Sequence, residues 1–386
     1  MLIFNMRTKL VLVYCTLPVA IWAQGKPRAR DLGVPFDGTP GKFNAITDVK
    51  GVEVGQTTLI SGEGALKVGQ GPVRTGVTVV IPRGRGDGDP VFAGWFAQNG
   101  NGEMTGTTWV EESGFLESPV AITNTHSVGV VRDAVIAWGI DHHRALQPWS
   151  LPVVAETWDG GLNDINGFHV KPEHAIQALD AARGGAVAEG GVGGGTGMIC
   201  YEFKGGIGTS SRVLAAAQGG YTVGVLVQCN CGTREQLTIA GVAVGKEIRE
   251  GTPDWRAGIG VDRDLGSIII VVATDAPLLP HQLKRIARRA TMGLARTGSI
   301  SGNGSGDIFI AFSTANPGVY DGPGPSKVEM VDNGHMNGLF AATAQATEEA
   351  IVNALVAGET MTGIDGHKVV GLPHGELQRV LKKYNR

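Results

Sequence analysis

The sequence predicts an α+β fold in which layers of helices cover two packed sheets. Short apolar segments of strand type recur along the chain: Val77–Pro82, Pro119–Thr123, Pro152–Glu156, Met198–Phe203, Tyr221–Asn230, Ser267–Thr274 and Ile308–Ser313. Helical patterns separate several of them, at Ser127–Trp138, Glu173–Arg183, Pro280–Arg296, His335–Ala357 and His374–Tyr384. The two kinds mix without a strict βαβ rhythm, a pattern that helices layered over two packed sheets satisfy. No internal repeat or low-complexity tract interrupts them.

At the amino terminus, Arg7 and Lys9 precede an apolar stretch from Leu10 to Trp22. The stretch is shorter than the span of about 20 residues that crosses a bilayer. With the small Ala23 behind it, it reads as a secretory signal peptide over residues 1–23, although Ile21 is larger than the usual residue at the −3 position. An uncleaved anchor or a later start at Met6 is the alternative. The expectation is a secreted, periplasmic protein with no stable membrane insertion once the signal is removed.

Composition narrows the class. Hydrophobic residues make up 42% of the chain and charged ones 18%, enough for a sizeable core. The net charge is −3 with no basic block, which argues against nucleic acid and anionic membrane surfaces as partners. Gly is 60 of 386 residues, about twice the usual share, and is spread over turns. Four cysteines occur, Cys15 in the leader and Cys200, Cys229 and Cys231 beyond it. The odd count argues against a full disulfide framework. Buried thiols are the expectation, with a link from Cys200 to Cys229 or Cys231 as the alternative in an oxidising compartment.

Two helices show their faces clearly. In Pro280–Arg296, Leu283, Ile286, Ala287, Ala290 and Leu294 follow the helical spacing, and Lys284, Arg285, Arg288 and Arg289 fill a solvated face. His335–Ala357 has a long apolar side, with Glu348 and Glu349 placed outside.

The chemistry concentrates on Ser267. It follows Gly266 and opens the run SIIIVVATDA, which reads as a strand buried on both faces. A Gly-Ser pair in this position either simply begins a core strand or marks a self-processing nucleophile. If the 266–267 bond is cut, Ser267 gains an α-amine with a pKa of about 7.7–8.0 beside its own hydroxyl, a base fit for neutral pH. Gly266 leaves its carbonyl accessible to Ser267 Oγ, and the loop Glu250–Gly266 is the natural place for the break.

Ser305 and Asp307 stand two apart in SGNGSGDIFIAF. An extended backbone puts both side chains on one side, so Ser305 can bridge Ser267 and Asp307 in a hydrogen-bond relay. The alternative is a plain Asn-Gly/Ser-Gly turn. Asn230 ends the strand YTVGVLVQCN, where its amide can donate to a developing oxyanion or form a turn. The Gly-rich Gly190–Gly197 lacks GK[ST] and the frame of a dinucleotide site, so it reads as a structural loop. His142 and His143 are adjacent and cannot share a helix face, no H-E-x-x-H occurs, and the Cys-x-Cys lacks a second pair. No metal or organic cofactor is expected. His126 reads as structural.

Longer motifs carry a resemblance. Arg28–Gly41, Asn44–Thr58, Gly193–Arg212, Val223–Asn230, Gly266–Ala290 and Ala346–Gly363 resemble the β-peptidyl aminopeptidase / L-aminopeptidase–D-esterase family of self-cleaving N-terminal-serine hydrolases. The resemblance implies a four-layer α-β-β-α sandwich, similar to N-terminal-nucleophile hydrolases but differently connected. It implies one hydrolase domain cut into an α subunit (24–266) and a β subunit (267–386), which stay associated, with oligomers of such heterodimers. It implies an aminopeptidase for short peptides, amides or esters with a free amino terminus. Ser267 would be the nucleophile, Ser305 and Asp307 its relay, Asn230 an oxyanion donor and Glu156 the partner of the substrate ammonium. The family carries Glu where Asp307 stands, and Trp158 matches neither the Tyr nor the aliphatic residue of its branches, which changes the acyl-side pocket. The β-peptidyl reading comes first and the L-aminopeptidase/D-amino-acid esterase-amidase second. An ornithine-acetyltransferase-like acyltransferase, which uses Thr, and a non-enzymatic periplasmic binding protein are remoter.

Overall fold

The computed structural model describes residues 26–386 except 143, 145–146, 254, 256–265 and 321–323. The expected signal peptide lies outside the described residues, as do His143 and most of the loop before Gly266.

Two sheets form the centre. The first contains β1 (Glu53–Ser61), β2 (Val73–Ile81), β5 (Val120–Asn124) and β6 (Val153–Thr157), in the order β1-β2-β5-β6. The second contains β3 (Val91–Ala97), β4 (Phe115–Leu116), β7 (Gly206–Val213), β8 (Thr222–Asn230), β9 (Ser267–Thr274) and β10 (Ile308–Ser313). Its order is β4-β3-β10-β9-β8-β7. Most neighbours run antiparallel, but β5 with β6 and β9 with β10 are parallel.

Helices cover both outer faces. On the first sheet lie α1 (Val128–Asp141) and α2 (Pro172–Asp180), and on the second α3 (Pro280–Arg296) and α4 (Asn337–Val356). A last helix, α5 (His374–Lys383), packs Leu377, Val380 and Leu381 into the core on the α4 side. The strand β9 shows why two sheets stack. Ile268, Ile270 and Val272 pack toward the α3 and α4 side chains, whereas Ile269, Val271 and Ala273 pack against Val80, Ile122 and Val153 of the facing sheet. Alternating side chains bury both faces of one strand, as its unbroken apolar run predicts. The expected α-β-β-α layering is therefore present.

Several expectations need correction. Met198–Phe203 is not one strand. Tyr201 and Glu202 take φ of 50° and 60°, so the segment folds into a tight hairpin between Ile199–Cys200 and Phe203–Lys204. Strands β1, β3 and β7 carry no matching expectation; in β1 and β7 the Gly, Thr, Ser and Gln residues mask the apolar alternation. Glu349 is not outside. It is fully buried between Arg212 (2.7 Å) and Arg30 (2.8 Å), paired with charges that are distant in sequence. Cys200 and Cys229 are bonded to each other, the alternative to buried thiols, because the hairpin brings their Cα atoms to 5.7 Å. Cys231 keeps a buried thiol, its sulfur 3.8 Å from that of Cys229.

Candidate active site

Ser267 is the first residue of β9 and is 5% exposed. Directly before it, Gly266 lies so close to the end of β8 that an added Cβ would come within 2.3 Å of the Asn230 carbonyl and 2.4 Å of Cys231 Cα. Only glycine lets the chain enter the strand here.

The residues before β10 meet Ser267 from the next strand. The Gly306 N–H donates to Ser267 Oγ at 3.1 Å. On either side of Gly306, Ser305 Oγ donates to Asp307 Oδ1 at 2.6 Å. The Ser305–Asp307 half of the expected relay is formed, but the bond reaching Ser267 comes from the Gly306 backbone. Asp307 is fully buried, its N–H donated to Asn99 Oδ1 at 2.6 Å. Further bonds tie the two loops: Gln98 N–H to the Asp307 carbonyl (2.9 Å) and Asn101 Nδ2 to the Gly304 carbonyl (2.9 Å). A Cβ on Gly306 would strike the Asn101 carbonyl at 2.4 Å, so this crossing also requires glycine.

Asn230 stands opposite Ser267 in the β8–β9 register, which places the two side chains on one face. Its Oδ1 accepts the Ile199 N–H at 2.7 Å and its Nδ2 donates to the Trp158 carbonyl at 2.9 Å. One amide hydrogen remains for another acceptor.

Glu156, at the end of β6, is 3% exposed. Its carboxylate accepts the Glu103 N–H at 2.9 Å and the Thr125 hydroxyl. Burial pushes the Glu156 carboxyl above the usual range; the bonds from Thr125 and Glu103 pull it back, and the negative charge of Glu103 adds to the rise. Close by, Asp159 is fully buried and raised to about 6 by burial, though Thr75, Asn163 and Asn124 hydrogen-bond to it.

A pocket of about 380 Å³ brings these groups together, with Ser267, Glu156 and Trp158 in its wall beside Gly102, Glu103 and Thr125. Of the expected site residues, Ser267, Glu156 and Trp158 line it, Asn230 flanks Ser267, and Ser305 and Asp307 sit behind Ser267. Glu103 and Thr125 were not expected. Glu103 follows an Asn/Gly-rich turn and Thr125 a strand end, and both patterns read as connections only. His126 stacks on Phe168 (5.9 Å) outside the pocket wall, in keeping with a structural role. A separate cavity lined by Arg83, Trp138 and Arg144 contains none of the expected residues.

The arrangement is that of an acyl-transfer site: a hydroxyl at a strand start, an amide donor beside it and a buried carboxylate across a pocket. Known proteins agree. The chain is 58% identical over 369 residues to a β-peptidyl aminopeptidase of Sphingosinicella microcystinivorans, covering 93% of each. The structure of a β-aminopeptidase from a Burkholderia species superposes with a TM-score of 0.85 at 51% identity, covering 92% of this chain and 99% of that one. The L-aminopeptidase D-Ala-esterase/amidase of Ochrobactrum anthropi, described as a prototype serine aminopeptidase and a variant of the Ntn hydrolase fold, superposes at 0.86 with 48% identity, over 94% of this chain and 99% of that one. Residues 44–369, which include both sheets and every site residue above, match peptidase family S58, and the chain belongs to that family of serine aminopeptidases.

Proposed function

We propose that this aminopeptidase cuts itself before Ser267 and then removes amino-terminal β-amino residues from short peptides, amides or esters. The observation that carries the reading is the pocket wall shared by Ser267 and the buried Glu156. In maturation, Ser267 Oγ attacks the Gly266 carbonyl and the C–N bond breaks, so the acyl group moves from nitrogen to oxygen. Water hydrolyses that ester, leaving an α subunit ending at Gly266 and a β subunit beginning with a free amine on Ser267.

In turnover, the new α-amine takes the proton of Ser267 Oγ as the oxygen attacks the first carbonyl of the substrate. The Asn230 amide and the Gly306 N–H stand beside Ser267 to receive developing negative charge. Ser305 and Asp307 hold a fixed negative charge behind the ammonium that forms on Ser267. The shortened peptide leaves with that proton, and water releases the amino-terminal residue from the acyl-enzyme. Glu156 pairs with the substrate ammonium, which restricts the enzyme to free amino termini.

The β-peptidyl specificity rests on the 58% identity to the Sphingosinicella enzyme. A second reading, L-aminopeptidase with D-esterase and amidase activity, is supported by the 48% identity to the Ochrobactrum protein. Secretion to the periplasm, signal removal after Ala23 and assembly as a homotetramer of heterodimers belong to the same proposal.

Intact-mass measurement and amino-terminal sequencing of the purified protein test the maturation step. Two fragments are expected, one beginning Ser-Ile-Ile-Ile, and Ser267→Ala gives a single uncut, inactive chain. A panel of p-nitroanilides of β-homo-, L- and D-amino acids separates the two specificities. An uncut wild-type chain with full activity overturns the mechanism.

A further inference from the structure

Lys204 is fully buried, and among the described residues no carboxylate lies within ion-pair distance of it. Its Nζ donates instead to three backbone carbonyls, those of Gly205 (2.7 Å), Met198 (3.0 Å) and Gly195 (3.3 Å). An unpaired buried ammonium is costly to keep, and burial pushes Lys204 down to about 7. A methionine would fill the same space without that cost, so the charge has a use.

The use is visible at one peptide bond. The Met198 carbonyl that accepts from Lys204 belongs to the same peptide unit as the Ile199 N–H, and that N–H donates to Asn230 Oδ1 at 2.7 Å. A cation on the carbonyl polarises the peptide and strengthens its N–H as a donor. The Asn230 amide is thus held at its oxygen by Ile199 and at its nitrogen by Trp158, with its remaining hydrogen beside Ser267. The Gly-rich loop Gly190–Gly197 and the hairpin after it turn carbonyls inward here. Gly195 and Gly205 contribute two of the three oxygens, and a Cβ on either would strike backbone at 2.5 Å.

We infer that Lys204 is a positioning residue: its ammonium clamps the Met198–Ile199 peptide and through it fixes and polarises the Asn230 amide for the oxyanion. The inference rests on the oxyanion role proposed for Asn230.

A double-mutant cycle tests it. The variants Lys204→Met, Asn230→Ala and the pair are assayed for kcat and KM with one free-amine p-nitroanilide. Asn230→Ala is expected to lower kcat about 100- to 1000-fold. Lys204→Met is expected to lower kcat about tenfold to a hundredfold, with KM changed less than about threefold. Because the lysine acts through the asparagine, the double variant matches Asn230→Ala within about threefold. For any variant that stays uncut, the same cycle is read on the rate of self-cleavage, whose oxyanion forms on the Gly266 carbonyl.

Full kcat in Lys204→Met, or losses that multiply in the double variant, overturns the inference while leaving Asn230 in place. Full kcat in Asn230→Ala removes the oxyanion reading itself. Lys204→Gln keeps two donors without the charge and is expected to lie between Met and wild type. If neither lysine variant yields folded protein, Lys204 serves folding and the positioning role is wrong.

Discussion

Asn230 and Ser267 face each other as the terminal pair of the β8–β9 ladder, the last residue of one strand against the first of the next. The two residues are therefore held by backbone pairing, and their spacing does not depend on a loop. The same rung explains the glycine before Ser267, since the turn out of β8 passes directly over it.

Gly266→Ala is expected to block maturation. Its Cβ has no room beside Asn230 and Cys231, at 2.3 Å and 2.4 Å, so the scissile carbonyl cannot keep its place. Denaturing gels of freshly purified protein, followed over days, check this: the variant stays uncut while the wild type separates into two bands.

Glu156→Gln is expected to raise KM for free-amine substrates about tenfold to a hundredfold, with a smaller effect on kcat and reduced discrimination against acetylated substrates. Only the ionised carboxylate pairs with an ammonium. Because burial raises its pKa, the acid limb of kcat/KM in the wild type is expected above the usual carboxylate range, and the variant is expected to lose that limb. A raised folded pKa means that ionised Glu156 lowers stability as pH rises through that value. Thermal unfolding at neutral pH should therefore show Glu156→Gln at least as stable as the wild type.

Asp307→Asn is expected to lower kcat about 100- to 10,000-fold with KM little changed, as for a disabled acid–base relay. The Ser305 hydroxyl now donates to the carboxylate at 2.6 Å, and an amide there no longer balances the positive charge of the Ser267 amine. Steady-state kinetics across pH 6–9 check it. Ser305→Ala tests the same link and should lose less.

Glu349→Gln should cost about 3–5 kcal/mol of stability without changing KM, because it removes the carboxylate ion-paired with Arg212, which is 2% exposed at its side chain. Burial opposes the Glu349 charge, but bonds from Arg30, Arg212 and Asn44 hold the carboxyl below its usual range. Its contribution is present above the ordinary carboxylate pKa and is lost as pH falls through the lower folded value. Urea unfolding at pH 7, and then at steps down through the acid range below the ordinary carboxylate pKa, checks both effects.

Much of the architecture was legible in the sequence because apolar periodicity is a local signal. The bounds of Ser267–Thr274, Ile308–Ser313 and Pro280–Arg296 coincide with the expected ones, the two strands being unbroken apolar runs and the helix apolar on its 3–4 spacing, with Gly, Pro or Asn close to their ends. Where polar residues sit inside a strand, as in β7 (GIGTSSRV), the signal fails, since Thr209, Ser210, Ser211 and Arg212 are buried by partners far along the chain. Glu349 was misplaced for the same reason. Helical spacing gives its angle around the axis, but Arg30 and Arg212, which let a charge stay buried there, come from distant segments.

The layered fold could be read from local apolar pattern, and Ser267 at a Gly-Ser strand start, with the other candidate site residues, from motifs in the chain. What surrounds them emerges from the folded chain: Glu103 and Thr125 on Glu156, Gly306 on Ser267, and Lys204 behind Asn230. Most of these contacts join residues some tens of positions apart. Their energy exists only once strands and connecting loops have paired, and no local pattern in the chain encodes it.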